Sequence, residues 1–438
     1  MNSDAKSVLS EAGTEHRWHV TTAMFISYLY DCYDIIILAI AMPVLLKVLN
    51  ISLSEGGLLA SATMAGAALG SIIFGLIAEN YGRRGAIILS LVWFGIFTAM
   101  VVLVHSWGMW MIMRFLAGVG IGGVWGPCAA LIAQHWSAKY RGRAASFVFS
   151  SFAAGCIVAA LVGRLVLTVD WRYLFLIGSS SIVVAILVYY LVPPESPKLR
   201  ATTSQAGDKI GIGAIFEGGY AKITLLACAV SFFNMAGFWG VSYWIPTFLT
   251  QERGLSLTSM ANFSLVMYIG MFIGYQCFGF LSDRIGRRTT MIIAFLSMAF
   301  SVSVYILVLN PIFLFWWGIV VGFVLSGIHA VVGAYFSELF PDRMRAYAGG
   351  FCFSIGRGCA IIAPYAVGDI GRVYGLQVGL ACDCVIFLLG AFVLLFLPET
   401  LKKSSIASEN HVKGTDLESS CDAAAPLSAR NRKQAGTG

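Results

Sequence analysis

Gly75-Leu-Ile-Ala-Glu79-Asn80-Tyr-Gly82-Arg83-Arg84 returns 204 residues later as Gly279-Phe-Leu-Ser-Asp283-Arg284-Ile-Gly286-Arg287-Arg288. The same offset carries Gly66 to Gly270, Gly70 to Gly274 and Phe74 to Phe278. It carries Gln134 to Glu338, Arg141 to Arg345, and Pro194-Glu195-Ser196 onto Pro398-Glu399-Thr400. One spacing held over that distance marks two copies of one folding unit.

The composition says what kind of unit it is. Of 438 residues, 58% are hydrophobic and 12% charged. A soluble domain averages about 45–50% apolar and about 25% charged. So little charge cannot coat a globular surface, which excludes a soluble enzyme, a disordered chain and a coiled coil. Apolar runs near 20–49, 56–78, 86–105, 108–134, 145–168 and 172–192 fill the first copy. Runs near 222–250, 256–281, 290–309, 311–337, 347–370 and 374–397 fill the second. Each suits a membrane-crossing helix, which needs roughly 20 apolar residues. The expected architecture is an all-α polytopic membrane protein of twelve helices in two six-helix bundles, 20–192 and 222–397. A linker at 193–221 joins them, with tails at 1–19 and 398–438. Parallel repeats of this kind place a binding site near the bilayer midplane, between the halves.

Charge sets the orientation. Loops and tails on one side of the membrane hold 22 of the 29 Lys and Arg residues. The other side holds Lys47, Arg172, Arg253 and Arg372, while Arg114, Arg164 and Arg357 fall within runs. This bias predicts that both termini are cytoplasmic. The formal charge of +7 is dispersed over short loops, which argues against a nucleic-acid surface. Residues 1–18 are polar and the first run is long and contains two aspartates, so it is expected to remain as the first span rather than be cleaved. Most of the ten cysteines sit in apolar runs, and no CxxC pair or metal-ligand spacing occurs. No G-x-x-x-x-G-K-[ST] motif occurs, so ATP hydrolysis is not expected.

The repeated loop G-x-x-x-[DE]-x-x-G-R-R resembles the signature loop of the major facilitator superfamily. Arg114-Phe-Leu-Ala-Gly118-Val-Gly120-Ile-Gly122-Gly123 in the fourth span, and Pro-Glu-Ser and Pro-Glu-Thr after the sixth and twelfth, resemble the same superfamily. Asp31-Cys32-Tyr33-Asp34 resembles the D-G-[YF]-D first span of its aromatic acid:proton symporters and related organic-acid carriers, with Cys32 replacing the usual Gly. Gly356-Arg357-Gly358 with Pro364 resembles their eleventh span. The resemblance covers about residues 20–400. It implies a plasma-membrane transporter, bacterial inner membrane by expectation, that is not an enzyme and draws on a proton gradient without a cofactor or metal.

Candidate residues follow from charges placed where charge is costly. Asp31 and Asp34, at i, i+3, share a helix face and lie roughly 17 and 21 Å into a ~30 Å core. An acid at that depth must be paired, hydrated or protonated, so the pair is the expected proton carrier, with a static bridge to Arg114 as the plainer reading. Arg114 stands roughly 9 Å from the outer edge, near the level of Asp34. It can neutralise that aspartate or hold a carboxylate by two contacts. Arg357, roughly 15 Å deep, needs a partner: an anionic substrate, or Asp383 in the next span. Asn234 and Tyr243 are further candidates for substrate, and His329 and Asp383 for relaying a proton, although interhelical packing is the commoner use of such residues.

By resemblance the two loops are gates, formed by Gly75, Glu79, Gly82, Arg83, Arg84 and Arg141 in one half. The other half contributes Gly279, Asp283, Arg284, Gly286, Arg287, Arg288, Glu338 and Arg345. By the same resemblance their acids and arginines are expected to pair with each other and with helix ends across the domain interface, latching the cytoplasmic side shut. Glu79, Asn80 and Gln134 leave the first loop poorer in charge than the second. The function expected is proton-coupled uptake of a small organic anion, aromatic or short-chain, by a monomer in a lipid bilayer. The alternatives are a sugar or polyol carrier and a proton-coupled drug exporter. The exporter lacks its Gly-Pro pair at Ala154-Gly155-Cys156, and the sugar carrier lacks its glutamines at Ser231-Phe232-Phe233-Asn234.

Overall fold

The computed structural model describes residues 16–194, 212–341 and 344–401. The side chains of 138, 139, 141, 142, 212, 214 and 346 lie outside that description, so the gate residue Arg141 is placed by its backbone alone. Most of both tails and of the linker also lies outside it.

Twelve helical segments are long and apolar enough to cross a bilayer. The first half holds α1 Arg17–Val48, α2 Leu53–Tyr81, α3 Arg83–Leu103, α4 Trp107–His135, α5 Arg143–Val166 and α6 Arg172–Leu191. The second holds α7 Ala221–Gln251, α8 Leu257–Ile285, α9 Arg287–Leu307, α10 Pro311–Glu338, α11 Tyr347–Tyr374 and α12 Leu376–Leu394. No strand occurs among the described residues. Local chemistry starts several of these helices. Ser52 and Glu55 form a capping box at α2, and the Asn310 side chain accepts from the Ile312 and Phe313 N–H groups, with Pro311 in the first turn of α10.

The sequence repeat is a repeat of contacts. Gly66 of α2 packs on the Phe115 carbonyl of α4, and Gly118 packs back on the Thr63 carbonyl. In the second half Gly270 meets Ile319 and Gly322 meets Met267 in the same way, each pair displaced by 204. No side chain larger than hydrogen fits these crossings, as expected where helix association in lipid depends on close backbone approach. Across the halves α2 meets α11, α5 meets α8 and α1 meets α7. Large apolar side chains such as Ile72, Leu76, Phe300 and Trp316 remain on the outer surface, facing the lipid such a chain requires.

The signature loops turn at Gly82 and Gly286, with φ of 96° and 105°, a region that costs other residues strain. Gly75 and Gly279, which open the repeated motif, lie inside α2 and α8, with open space where a Cβ would stand.

Candidate functional site

Asp34 is consumed by the fold of its own half. Arg114 Nη1 donates to its Oδ2 at 3.1 Å, and Nη2 donates to the Asp34 carbonyl at 3.2 Å. Arg114 Nε donates to Thr63 Oγ1, and Thr98 Oγ1 donates to Asp34 Oδ1 at 2.7 Å. Both ionic side chains are fully buried. Arg114 lines neither central cavity. The expected place of Arg114 at the substrate is therefore not what this geometry offers, because its donors already face acceptors. Thr63 carries no charge and stands in an apolar run, so no signal in the sequence singles it out. The pair yields a stability prediction. Asp34→Asn or Arg114→Gln alone leaves a buried charge unmatched, so each is expected to lower stability by roughly 3–5 kcal/mol. The double variant should lose less than the sum, as judged by unfolding midpoints of the purified protein. Additive losses would mean that the two groups do not act as a pair.

Asp31 goes elsewhere. Residues three apart on a helix diverge by about 60° around its axis, enough here to separate two environments rather than share one face. Asp31 faces a cavity between the halves with about 590 Å³ of empty volume. Tyr28, Trp125, Phe152, Phe238, Trp239, Tyr275 and Phe353 give it an aromatic wall, and His329 and Arg357 also line it. Oδ1 of Asp31 is buried without a hydrogen-bond partner. A second cavity of about 450 Å³, lined by Thr63, Met64 and Tyr243 among others, shares Ile35, Ile121, Trp239 and Arg357 with the first. Arg357 thus stands where the two join. Among the described residues it forms neither ion pair nor hydrogen bond. The possible Arg357–Asp383 pair is absent, since both Asp383 oxygens are buried without partners against α7.

The remaining candidates divide. His329 packs against Phe238 with the rings tilted at 54° and their centres 4.4 Å apart, and its Nδ1 is unpartnered. Tyr243 Oη donates across the halves to the Gly56 carbonyl at 3.5 Å. Asn234 is buried with its amide nitrogen unpartnered and lines neither cavity.

The end of the cavity away from the Gly-Arg-Arg loops is closed by contacts between halves. Ser61 Oγ donates to the Ile361 carbonyl and Ser54 Oγ to Asp369 Oδ1, each at 2.7 Å. Arg372 Nε donates to Ser54 Oγ at 2.9 Å. Toward the loops, stacked rings of Trp125 and Phe353 bridge the halves at 6.1 Å, and Trp125 is 42% exposed.

At the loop end the second copy carries a dense network. Arg287 pairs with Asp283 and, at 3.4 Å, with Glu338, while Thr400 Oγ1 donates to Glu338 Oε2 at 2.6 Å. Glu399 accepts from the backbone N–H groups of Arg287, Arg288 and Thr289 and so caps α9. Partial burial pushes this carboxyl up, but these bonds and those from Thr400 and Leu401 outweigh it and hold it below the usual range. Arg288 donates to the Leu397 carbonyl, and Arg284 lies over the Phe280 ring at 4.3 Å. Each of these partners belongs to the second half, so the bonds named here join the acids and arginines to one another and to helix ends of their own half. In the first copy, among the described residues, Arg84 donates to the Tyr189 carbonyl, Gln134 Oε1 is unpartnered, and Glu79 is exposed.

A sequence model described as Major Facilitator Superfamily matches residues 24–275 and 227–433. A "Probable 4-methylmuconolactone transporter" of Cupriavidus pinatubonensis is 29% identical over 96% of this chain and 99% of its own length. A cis,cis-muconate transport protein of Acinetobacter baylyi is 27% identical over 88% of this chain and 95% of its own. The crystal structure of a D-xylose-proton symporter matches with a TM-score of 0.73 at 19% identity, covering 87% of this chain and 98% of that one, a likeness of fold.

Proposed function

The chain belongs to the Major Facilitator Superfamily, and from that premise we propose that it is a proton-coupled uptake carrier for a small organic anion, aromatic or short-chain. It is a multi-pass membrane transporter and not an enzyme. The observation that carries the finer reading is the pairing of an unmatched guanidinium, Arg357, with an unmatched carboxyl, Asp31, in one aromatic-walled cavity. An arginine in that setting suits a carboxylate, which takes two parallel hydrogen bonds from its planar fork. It suits an uncharged sugar poorly. The relatives named for muconate and a muconolactone support the same substrate chemistry.

Coupling follows from charge. While Asp31 is ionised it repels an incoming carboxylate and competes with it for Arg357. A proton on Asp31 removes both effects, so anion and proton load together. The seal at one end and the cavity at the other describe one limb of alternating access. By the distribution of Lys and Arg, the loop end is cytoplasmic; membership of the superfamily supports the plasma membrane as its location. The test is uptake by proteoliposomes of benzoate, cis,cis-muconate and xylose, with and without an inward proton gradient. Gradient-driven accumulation of a carboxylate is expected. Accumulation of xylose alone, or of carboxylate with no dependence on the gradient, would overturn the reading.

The loops supply a further expectation. Asp283→Asn removes a partner of Arg287, whereas Glu79→Gln removes a side chain with no partner among the described residues. A surface pair contributes about 0–1 kcal/mol, more within a network that includes a helix terminus. Asp283→Asn should therefore change cysteine labelling of the cytoplasmic vestibule, on a Cys-depleted background, up to severalfold. Glu79→Gln should change it less. Equal effects would separate the charge network from the conformational balance.

A further inference from the structure

The geometry points to Asp383 as a second proton-binding site, set in the wall of the C-terminal half rather than in the cavity. The inference rests on the proton-coupled reading above. Asp383 is fully buried in α12, and neither carboxyl oxygen has a hydrogen-bond partner. Both oxygens press on Gly240 of α7, where an added Cβ would overlap them. Trp239 and Tyr243, beside Gly240 in α7, line the cavities. One helix backbone therefore separates this carboxyl from the substrate space.

The surroundings offer no counter-charge. α7, α9 and α11 pack on α12. Their charged residues are Lys222 at the start of α7, Arg287 and Arg288 at the start of α9, Asp369 and Arg372 near the end of α11, and Arg357, which faces the cavity. The flanking thiols are Cys382 and Cys384, the latter receiving the Ser303 hydroxyl at 3.4 Å and donating to the Leu380 carbonyl. Tyr305 of α9 keeps its hydroxyl unpartnered. A carboxylate without a partner in such a place neutralises rather than remains ionised, so Asp383 carries a proton in this state.

α7 also gives that proton a way out. Pro246 lies inside α7 and has no N–H for the Ser242 carbonyl one turn back, which leaves the helix free to bend beside Gly240. α7 packs on α1 of the opposite half, so it must shift when the halves exchange their open ends. Bending there admits water from the cavity. The Asp383 O–H bond then opens, the proton passes to water, and a hydrated carboxylate remains.

The test is the number of protons entering per cis,cis-muconate in proteoliposomes containing a trapped pH dye. Asp383→Asn keeps the shape of the neutral acid but holds no exchangeable acid proton. Asp383→Ser is smaller and gives the same reading should the amide crowd Gly240. Both variants are expected to retain uptake, with one proton fewer per muconate than the wild type. An unchanged ratio, or loss of uptake by both variants at normal membrane insertion, would overturn the Asp383 site alone. Muconate uptake by the wild type without any proton entry would overturn the coupling reading, and this site with it.

Discussion

With the second proton site silenced by Asp383→Asn, Asp31→Asn is expected to abolish uphill accumulation of substrate while leaving insertion and downhill exchange intact. Asp31 is 4% exposed, lines the central cavity and has an oxygen without a partner. An amide of the same shape fixes the neutral condition, so the anion binds and leaves without a proton following it. One proton moved with each monovalent anion would hold about a tenfold concentration ratio for each unit of pH difference, since 1.4 kcal/mol is tenfold. The variant should instead stop at equal concentrations on both sides. Asp34→Asn is not its equal, because Asp34 is bound to Arg114 and Thr98 and its loss acts through stability. Proteoliposomes under a fixed pH step distinguish the two. If Asp31→Asn still concentrates substrate in that background, the coupling proton resides elsewhere.

The contrast between these aspartates shows what the sequence could and could not settle. The helices were legible because each bilayer crossing demands an unbroken apolar run. The repeat was legible in more detail still: Gly66 on Phe115 and Gly270 on Ile319 are one contact written twice. Depth along a span was legible too, because rise per residue is fixed. Direction around the span was not. Asp31 and Asp34 look like one acidic pair until α1 is set among α2, α3 and α4. Arg114 and Arg357 likewise give the same one-dimensional signal, a cation within an apolar run. Thr63 and Asp34 surround one of them and, among the described residues, nothing pairs with the other, a fact that depends on helices far apart in the chain. The breaks at Ser326 in α10 and Ala360–Ile362 in α11 also escaped hydropathy, which measures apolarity and not hydrogen-bond register. Glu399 was visible only as part of a recurring Pro-Glu-Thr. Its role as the cap of α9 appears once residues 112 apart in the chain meet.

Arg357→Lys is expected to weaken substrate binding by roughly ten- to a hundredfold, the equivalent of one or two hydrogen bonds to a charged group. Lys keeps the charge, so simple attraction survives. It loses the planar pair of donors that grips both oxygens of a carboxylate. The effect should fall on apparent affinity for carboxylates, with little change in protein abundance, because among the described residues Arg357 has no partner whose loss would destabilise the fold. Arg357→Ala should abolish carboxylate transport, and adding Asp383→Ala should not restore it. Had the two formed an ion pair, removing both would relieve the unmatched charge left by removing one. Direct binding measured by quenching of cavity tryptophans, alongside uptake, separates affinity from turnover. Unchanged affinity in Arg357→Lys, or rescue by the double alanine variant, would place the anion elsewhere and return Arg357 to the scaffold.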